Sequence, residues 1–372
     1  MVLPFVRELL ADLKRSAAFD RVSRHLAQGQ GRRRIAGLTF TARSLYLPFF
    51  VQAAGDAPCL ILVADNKAAE ALQAAVVAAC ELTGALDPKS VVRLPAHDVL
   101  PFENLSPHPE IQETRAATLW KIASGARSGH LARLVIAPVE SACMRLFHSD
   151  FYSALALILK VGEEYLPDML VDHLLSVGYT RVDVVEMPGQ LTLRGGILDV
   201  YSPEADRPVR IDFFGDEIES IRRFDPETQR SQSSLDTALL LPLVEVPITE
   251  RVLEAINARL TRSGSAAAAE IEGGEIPREL QTHIATRTGE ATVFPGWEFF
   301  APVAGASTTL LDLLGPATRV FVEEPAMIKN QGERWWNKVE QRHERSGIGN
   351  MHSATCRLAC RSRPVTVSVS AQ

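Results

Sequence analysis

The chain has 372 residues, which is too long for one compact core and predicts two or three domains of ~100–200 residues. A composition of 46% hydrophobic and 23% charged residues with a net charge of −6 is globular, and it argues against a surface coated by nucleic acid. Five scattered cysteines, a charged amino terminus and the lack of an apolar run of ~18 residues exclude secreted and membrane-spanning classes, so we expect a cytoplasmic protein without a membrane partner.

Helical and strand patterns alternate over residues 1–150, as in an α/β domain built on a parallel sheet. An amphipathic helix is predicted over 3–27, and a continuously apolar strand over 59–64. Asp65 or Asn66 then caps a helix that runs to about Thr83, and the strand pattern returns at 91–94 and 131–137.

The pattern changes near residue 150. A strand is predicted over 155–161 and a helix over 166–177, followed by period-two strands at 196–201, 209–214 and 218–221. These elements predict a small α+β domain over residues 151–236. Within its strands Asp199 and Asp212 alternate with apolar residues, so we expect both carboxylates on a solvated face of the sheet.

Residues 237–345 return to a mixed α/β pattern, interrupted by a Ser/Ala/Gly/Glu-rich loop over 263–275. A strand over 318–324 ends in two carboxylates, Glu323 and Glu324. The tail over 346–372 lacks helical period and acidic residues, and we expect it to be a frameshifted or disordered end of a truncated chain.

One segment, Gly37-Leu-Thr-Phe-Thr-Ala-Arg-Ser44, partly matches the phosphate-binding loop G-x-x-x-x-G-K-[ST]. Ala42 stands where that loop has a glycine, Arg43 stands where it has the lysine that reaches the phosphates, and Gly37 and Ser44 are kept. Glu323 and Glu324 end a strand in the way a Mg²⁺-coordinating strand does. Together these residues predict an ATPase fold whose nucleotide site is degenerate, although each match alone also fits chance.

Two other clusters suggest metal binding weakly. His97, Asp98 and His108 lie in a segment with four prolines, where loop packing is the favoured interpretation and a metal-dependent hydrolase the minor alternative. His352, Cys356 and Cys360 have helical spacing but lack a fourth ligand, which a closed zinc site requires. We therefore predict no metal site.

Two arginines of the middle domain are candidate contacts for a partner. Arg194 precedes Gly195 and Gly196 at a strand boundary, and Arg181 follows a predicted helix. A planar guanidinium on flexible backbone is typical of an interface anchor. The alternative is a simple ion pair of Arg194 with Asp183 or Asp199, worth at most ~1 kcal/mol when exposed.

Four segments resemble the amino-terminal part of the bacterial transcription-repair coupling factors, a region similar to the nucleotide-excision-repair protein UvrB. They are Leu94-Pro-x-x-Asp98-x-Leu-Pro101-Phe-Glu, Gly178-Tyr-x-Arg-x-Asp183, Arg194-Gly195-x-x-Leu-Asp199-x-Tyr-x-Pro203 and Ile211-Asp-Phe-Phe-x-Asp216-Glu-Ile-Glu-Ser. The resemblance extends over about 20–345, and the block over 178–231 is the most specific part.

This resemblance implies a degenerate RecA-like, helicase-like lobe 1a over 1–150, an inserted UvrA-binding domain 2 over 151–236 and a lobe 1b over 237–345 that completes the first. Arg181 and Arg194, with Asp183 in the same motif, fall on positions by which the UvrB relatives dock onto UvrA. A third basic position of those relatives falls on Thr192, where the contact is lost.

Two functions follow from the resemblance. The first is a catalytically silent module that recruits UvrA and carries no cofactor of its own. ATP, Mg²⁺, RNA polymerase and double-stranded DNA would then belong to translocase lobes and other domains of the whole protein, which this sequence lacks. The alternative is an ATP-dependent, UvrB-like DNA helicase acting on damaged DNA, which the degenerate loop disfavours because phosphoryl transfer needs the loop and its lysine.

Overall fold

A parallel sheet and a larger, mostly antiparallel sheet inserted between its third and fourth strands organise the chain. The structure is a computed structural model that describes residues 12, 15–28, 31, 34–128, 132–247, 249, 252 and 295–345. The loop predicted over 263–275, the tail over 346–372 and the cluster of His352, Cys356 and Cys360 lie outside these residues.

The parallel sheet has four strands in the order β12-β1-β3-β2. Cys59 of β1 lies opposite Arg319 of β12 on one side and Leu134 of β3 on the other. Every position of β1 and β3 is buried, as expected for strands covered by helices on both faces. The strands are β1 Cys59–Val63, β2 Val91–Arg93, β3 Leu134–Pro138 and β12 Arg319–Val322.

Helices connect and cover these strands. Asp65 caps α3 by accepting a hydrogen bond from the Ala68 amide at 2.8 Å, and Gly84 ends that helix in the left-handed conformation with φ +62°. The prediction of one continuous helix over 3–27 is wrong at residues 15 and 16, which are not helical, and the helix that follows them begins at Ala17. The helices are α1 Ala17–Gln28, α2 Phe40–Ala53, α3 Asn66–Thr83, α4 Pro109–Ser128, α5 Val139–Cys143, α6 Ser149–Ser153, α7 Pro167–Ser176, α8 Leu310–Leu314 and α9 Pro325–Arg345.

The insert begins and ends with a pair of antiparallel strands, β4 Leu157–Lys160 and β11 Thr237–Leu240. Between them a six-stranded sheet has the order β10-β9-β8-β7-β6-β5. The period-two pattern located β7, β8 and β9 but missed three others of this sheet. Its strands are β5 Thr180–Arg181, β6 Gln190–Arg194, β7 Ile197–Val200, β8 Val209–Phe214, β9 Glu217–Phe224 and β10 Ser231–Leu235.

The predicted fold class, an α/β parallel-sheet lobe with an inserted small domain, is confirmed by this topology. β12 joins the sheet next to β1, so residues from both sides of the insert build one layer. The domain boundaries near 150 and 236 stay predictions, and β11 extends the paired strands of the insert past 236.

One apolar core runs continuously from the lobe into the insert. It contains Leu119 and Val135 from the lobe together with Leu198 and Ile211 from the insert, all less than 2% exposed. A second core on the other face of the parallel sheet joins α2 and α3 to β1. Among the residues placed by the structure, no helix combines the length and apolar character needed to span a bilayer.

Candidate functional site

The segment that partly matches a phosphate-binding loop folds as the start of a helix. Helix α2 begins at Phe40, and the Thr39 hydroxyl accepts a hydrogen bond from the Ala42 amide at 3.2 Å. The Arg43 amide donates to the Thr39 carbonyl at 2.9 Å. Ala42 is therefore helical and does not form a phosphate-binding turn, and the amides of Ala42 and Arg43 already have partners within the protein.

Gly37 and Ser44, the two residues that keep the motif, have structural roles of their own. Gly37 adopts φ +82°, a left-handed conformation that suits glycine, at the turn before the helix. The Ser44 hydroxyl is buried and donates to the Phe40 carbonyl at 2.9 Å within α2. This hydroxyl already has a partner within the protein and is not presented to a Mg²⁺ ion.

Arg43 and Glu323, which correspond to the lysine and the strand-end carboxylate of an ATPase, contact each other directly in an ion pair. Their side chains are only 19% and 12% exposed, and the Arg43 guanidinium also lies 5.4 Å from the centre of the Phe40 ring. Burial raises the pKa of Glu323 above its ordinary value, and Arg43 opposes that rise. The fold thus brings the two motif positions together and joins α2 to the end of β12.

The space beside this ion pair does not fit a nucleotide. The cleft lined by Leu38, Arg43 and Glu323 has a volume of about 30 Å³, whereas small-molecule pockets measure ~300 Å³ or more. Arg43 Nε has no hydrogen-bond partner among the described residues, but one unmet donor is not a phosphate cradle. Glu324 has φ +44° and lies immediately before α9, where its backbone carbonyl accepts a hydrogen bond from the Ile328 amide at 3.1 Å.

Arg194 lies exposed at the end of β6, where its guanidinium donates a hydrogen bond to the backbone carbonyl of Asp183. Arg181 is exposed in β5, opposite Leu191 of β6, and within the described part of the chain it forms no ion pair. The structure therefore brings Arg194 to the backbone of Asp183. Arg181 instead lies opposite Leu191, away from this contact between Arg194 and Asp183. Thr192, the position at which the relatives have a third basic residue, is buried in β6.

The neighbouring strands explain why Arg194 has no carboxylate partner among the described residues. Asp199 is 8% exposed and forms a bidentate ion pair with Arg210 at 2.7 and 2.8 Å. Asp212 pairs with Arg222 at 2.5 Å. Asp199 and Asp212 lie on the outer face of the sheet, as their alternation with apolar residues predicts, but arginines of neighbouring strands neutralise both carboxylates there. The alternative ion pair of Arg194 with Asp199 is absent, because Arg210 occupies both carboxylate oxygens.

A buried polar network at the exit of the insert was not predicted from the sequence. Arg115 of α4 is 0% exposed and donates to the Glu245 carboxylate at 2.5 and 3.1 Å, to the Pro95 carbonyl at 2.7 Å and to Ser141 at 2.8 Å. His97 lies 3.6 Å from the same carboxylate. One sequence signal could have indicated this network. Arg115 lies four residues before Leu119, so on a helix it shares a face with an apolar side chain.

Within this network Glu245 is negatively charged and His97 is neutral. Burial raises the pKa of Glu245, but the charge of Arg115 and the hydrogen bond from His97 outweigh it and bring the pKa down to about 2. Burial and the nearby Arg115 lower the pKa of His97, so this imidazole is neutral at pH 7. The network is thus a buried ion pair with a neutral neighbour, which fixes residue 245 to the lobe.

The contacts of Asp98, His108 and His97 do not support the alternative of a metal-dependent hydrolase. Asp98 accepts a hydrogen bond from the His108 backbone amide at 3.0 Å, which is a loop-stabilising contact, and His97 packs edge-on against Phe299. In the part of the chain that the structure covers, no group of three or more His, Cys, Asp or Glu residues is arranged to hold a metal ion.

Comparison with known proteins agrees with this architecture. Residues 157–245, which span the insert from β4 to Glu245, match the family described as the UvrB interaction domain. The fold and this match define an α/β protein whose inserted domain is similar to the UvrB interaction domain.

Three relatives match most of the length of this chain. The chain is 31% identical over 335 residues to the transcription-repair-coupling factor of Myxococcus xanthus, covering 87% of this chain and 26% of that protein. The corresponding proteins of Haemophilus influenzae and Escherichia coli are 30% identical over 267 residues and 28% identical over 263 residues, covering 72% and 70% of this chain and 22% and 21% of those proteins. The chain is therefore homologous over most of its length to transcription-repair-coupling factors, and it spans about a quarter of the length of these relatives.

Proposed function

We propose that this chain is a catalytically silent, UvrB-like module that recruits UvrA in transcription-coupled nucleotide excision repair. The observation that carries the proposal is the match of residues 157–245 to the UvrB interaction domain, within a chain homologous to transcription-repair-coupling factors. A cytoplasmic location and a division into lobe 1a, domain 2 and lobe 1b belong to the same proposal.

The absence of catalysis is supported by the Arg43–Glu323 ion pair. In an ATPase the residues at these positions face the phosphates and Mg²⁺, whereas here they neutralise each other in a cleft of about 30 Å³. The alternative of an ATP-dependent helicase needs this space and these charges for the nucleotide. ATP-driven translocation, RNA polymerase and double-stranded DNA are in this proposal properties of the whole protein.

The proposed partner contact is centred on Arg194, with Arg181 and Asp183 nearby in sequence. Arg194 is exposed, and its guanidinium contacts a backbone carbonyl instead of a carboxylate, so its positive charge is not neutralised within the insert. A guanidinium presented in this way can form a bidentate pair with a carboxylate on a partner. Arg181 adds a second exposed cation at the edge of the same sheet.

Calorimetric titration of the chain with purified UvrA tests the proposal. We expect micromolar or tighter binding by the wild type, and a loss of ~2 kcal/mol or more, about thirtyfold in Kd, for Arg194→Ala. Arg223→Ala removes an exposed arginine of β9 from the same sheet and serves as the matched control. A folded wild type that does not bind UvrA would contradict the proposal, and a loss below about threefold for Arg194→Ala would remove this residue from the contact.

A further inference from the structure

Two hairpin turns lie side by side at one end of the six-stranded sheet. The turn at 195–196 joins β6 to β7, and the turn at 215–216 joins β8 to β9. The Phe213 amide donates to the Gly196 carbonyl at 2.7 Å, which ties the two hairpins together. A side chain at Gly196 would lie 2.9 Å from the Phe213 carbonyl oxygen, so this close approach requires glycine.

The register of the sheet places four side chains on its outer face at this end. Arg194 lies opposite Ile197, and Ile197 lies opposite Asp212. Phe214 follows Asp212 by two residues on β8 and therefore points to the same face, because side chains alternate along a strand. Phe213, between them, belongs to the core on the other face.

The two apolar members of this group are exposed. Phe214 is 81% exposed and Ile197 is 41% exposed. Single exposed apolar residues are common, but a nearly uncovered aromatic ring beside a second apolar side chain and an arginine has the composition of an interface centre. Nothing in the part of the chain that the structure describes covers the Phe214 ring.

The charges on the same face indicate what kind of partner fits. Arg210 and Arg222 are neutralised by Asp199 and Asp212, so Arg194 is the cation of this face that has no carboxylate partner within the described residues. Glu217 lies opposite Phe214 and would repel a phosphate backbone, as would a chain of net charge −6. A nucleic acid is therefore disfavoured. The complementary surface is a protein with a carboxylate for Arg194 beside an apolar pocket for Phe214.

We propose that Phe214, with Ile197 beside it, is the apolar anchor of the surface to which Arg194 belongs, and that it inserts into an apolar pocket adjacent to an acidic group on the partner protein. This inference rests on the proposed function, since UvrA is the partner used to test it. Arg194 contributes attraction and orientation, whereas Phe214 contributes the contact that excludes water.

The test measures the affinity of the full chain for purified UvrA, with Phe214→Ala compared with the wild type at two salt concentrations. We expect Phe214→Ala to weaken binding by about tenfold or more at both, because burial of an aromatic ring depends little on ionic strength. Arg194→Ala is expected to lose less at high salt than at low salt. Leu82→Ala, which truncates a side chain 46% exposed on α3, is the control and should bind as the wild type does.

The outcomes separate this inference from the proposed function. If the wild type binds UvrA and Phe214→Ala binds equally well, the anchor is refuted while the proposed function stands. If the folded wild type does not bind UvrA, both are overturned. If Phe214→Ala leaves UvrA binding intact but weakens binding to duplex DNA, the surface is a nucleic-acid site and the inference is wrong. An unchanged midpoint of thermal unfolding shows that the variant is folded, as expected for an exposed side chain.

Discussion

The buried ion pair between Arg115 and Glu245 allows the sharpest test of how the insert is held to the lobe. Glu245→Gln keeps the size of the side chain but removes its charge, leaving a fully buried guanidinium without its counter-charge. Removing one partner of a buried pair costs ~3–5 kcal/mol. The pKa of Glu245 gives a similar figure, since a fall from 4.5 to about 2 corresponds to roughly 3 kcal/mol.

The same carboxylate predicts how stability depends on pH. Its pKa is lower in the folded protein than in the unfolded chain, so its contribution is fully present above pH 4.5 and is lost as the pH falls towards 2. At pH 3 about 2 kcal/mol of this contribution should be gone from the wild type. Glu245→Gln has no such group, so the difference in unfolding free energy between the two proteins should shrink over this range.

Urea unfolding followed by tryptophan fluorescence measures both effects, since the buried Trp120 lies on α4 with Arg115. Glu333→Gln, which removes the carboxylate of a surface pair with Lys329, is the control and should cost less than ~0.5 kcal/mol. A loss below ~1 kcal/mol for Glu245→Gln at pH 7 would refute the reasoning. So would a difference from the wild type that is the same at pH 7 and pH 3.

Three further predictions concern the segment that partly matches a phosphate-binding loop and the ion pairs of the insert. Mg-ATP should leave the midpoint of thermal unfolding unchanged, and a clear upward shift would contradict the closed cleft beside Arg43 and Glu323. Arg43→Ala and Glu323→Ala should be non-additive by ~0.5–3 kcal/mol in a double-mutant cycle of unfolding free energy, whereas additive losses would mean that the ion pair is not coupled. Asp199→Asn should destabilise the chain by ~1 kcal/mol or more in urea unfolding, since Arg210 loses its bidentate partner, and an unchanged midpoint would argue against that pair.

The prediction of the fold succeeded where local pattern and burial agree. The apolar run at 59–64 is the central strand β1, and alternation at 209–214 matches β8 residue for residue. Thr180–Arg181 and Ser231–Leu235 escaped detection because a two-residue strand and an exposed edge strand carry no apolar period. The join between β12 and β1 was implied by the resemblance to UvrB, and no local signal predicts it.

For the candidate sites, too, the sequence and the tertiary structure provided different information. The sequence alone identified the candidate side chains. They are an arginine where a phosphate-binding loop has lysine, two consecutive glutamates at the end of a strand, and Arg194 before two glycines. Only the tertiary structure decided what each group contacts. It paired Arg43 with Glu323 across the sheet, paired Asp199 and Asp212 with arginines of neighbouring strands, and left Arg194 without a carboxylate among the described residues.

The physical reason is that a sequence pattern reports whether a side chain lies on a buried or an exposed face, whereas the ionic state of a site depends on which charges lie within a few ångströms. Those charges come from distant parts of the chain. Arg115 and Glu245 stand on either side of the insert, and no periodicity relates them. Composition and period determined that the chain is an α/β protein with a small α+β domain between its α/β segments, whereas the tertiary structure determined how these parts pack and which charges are neutralised.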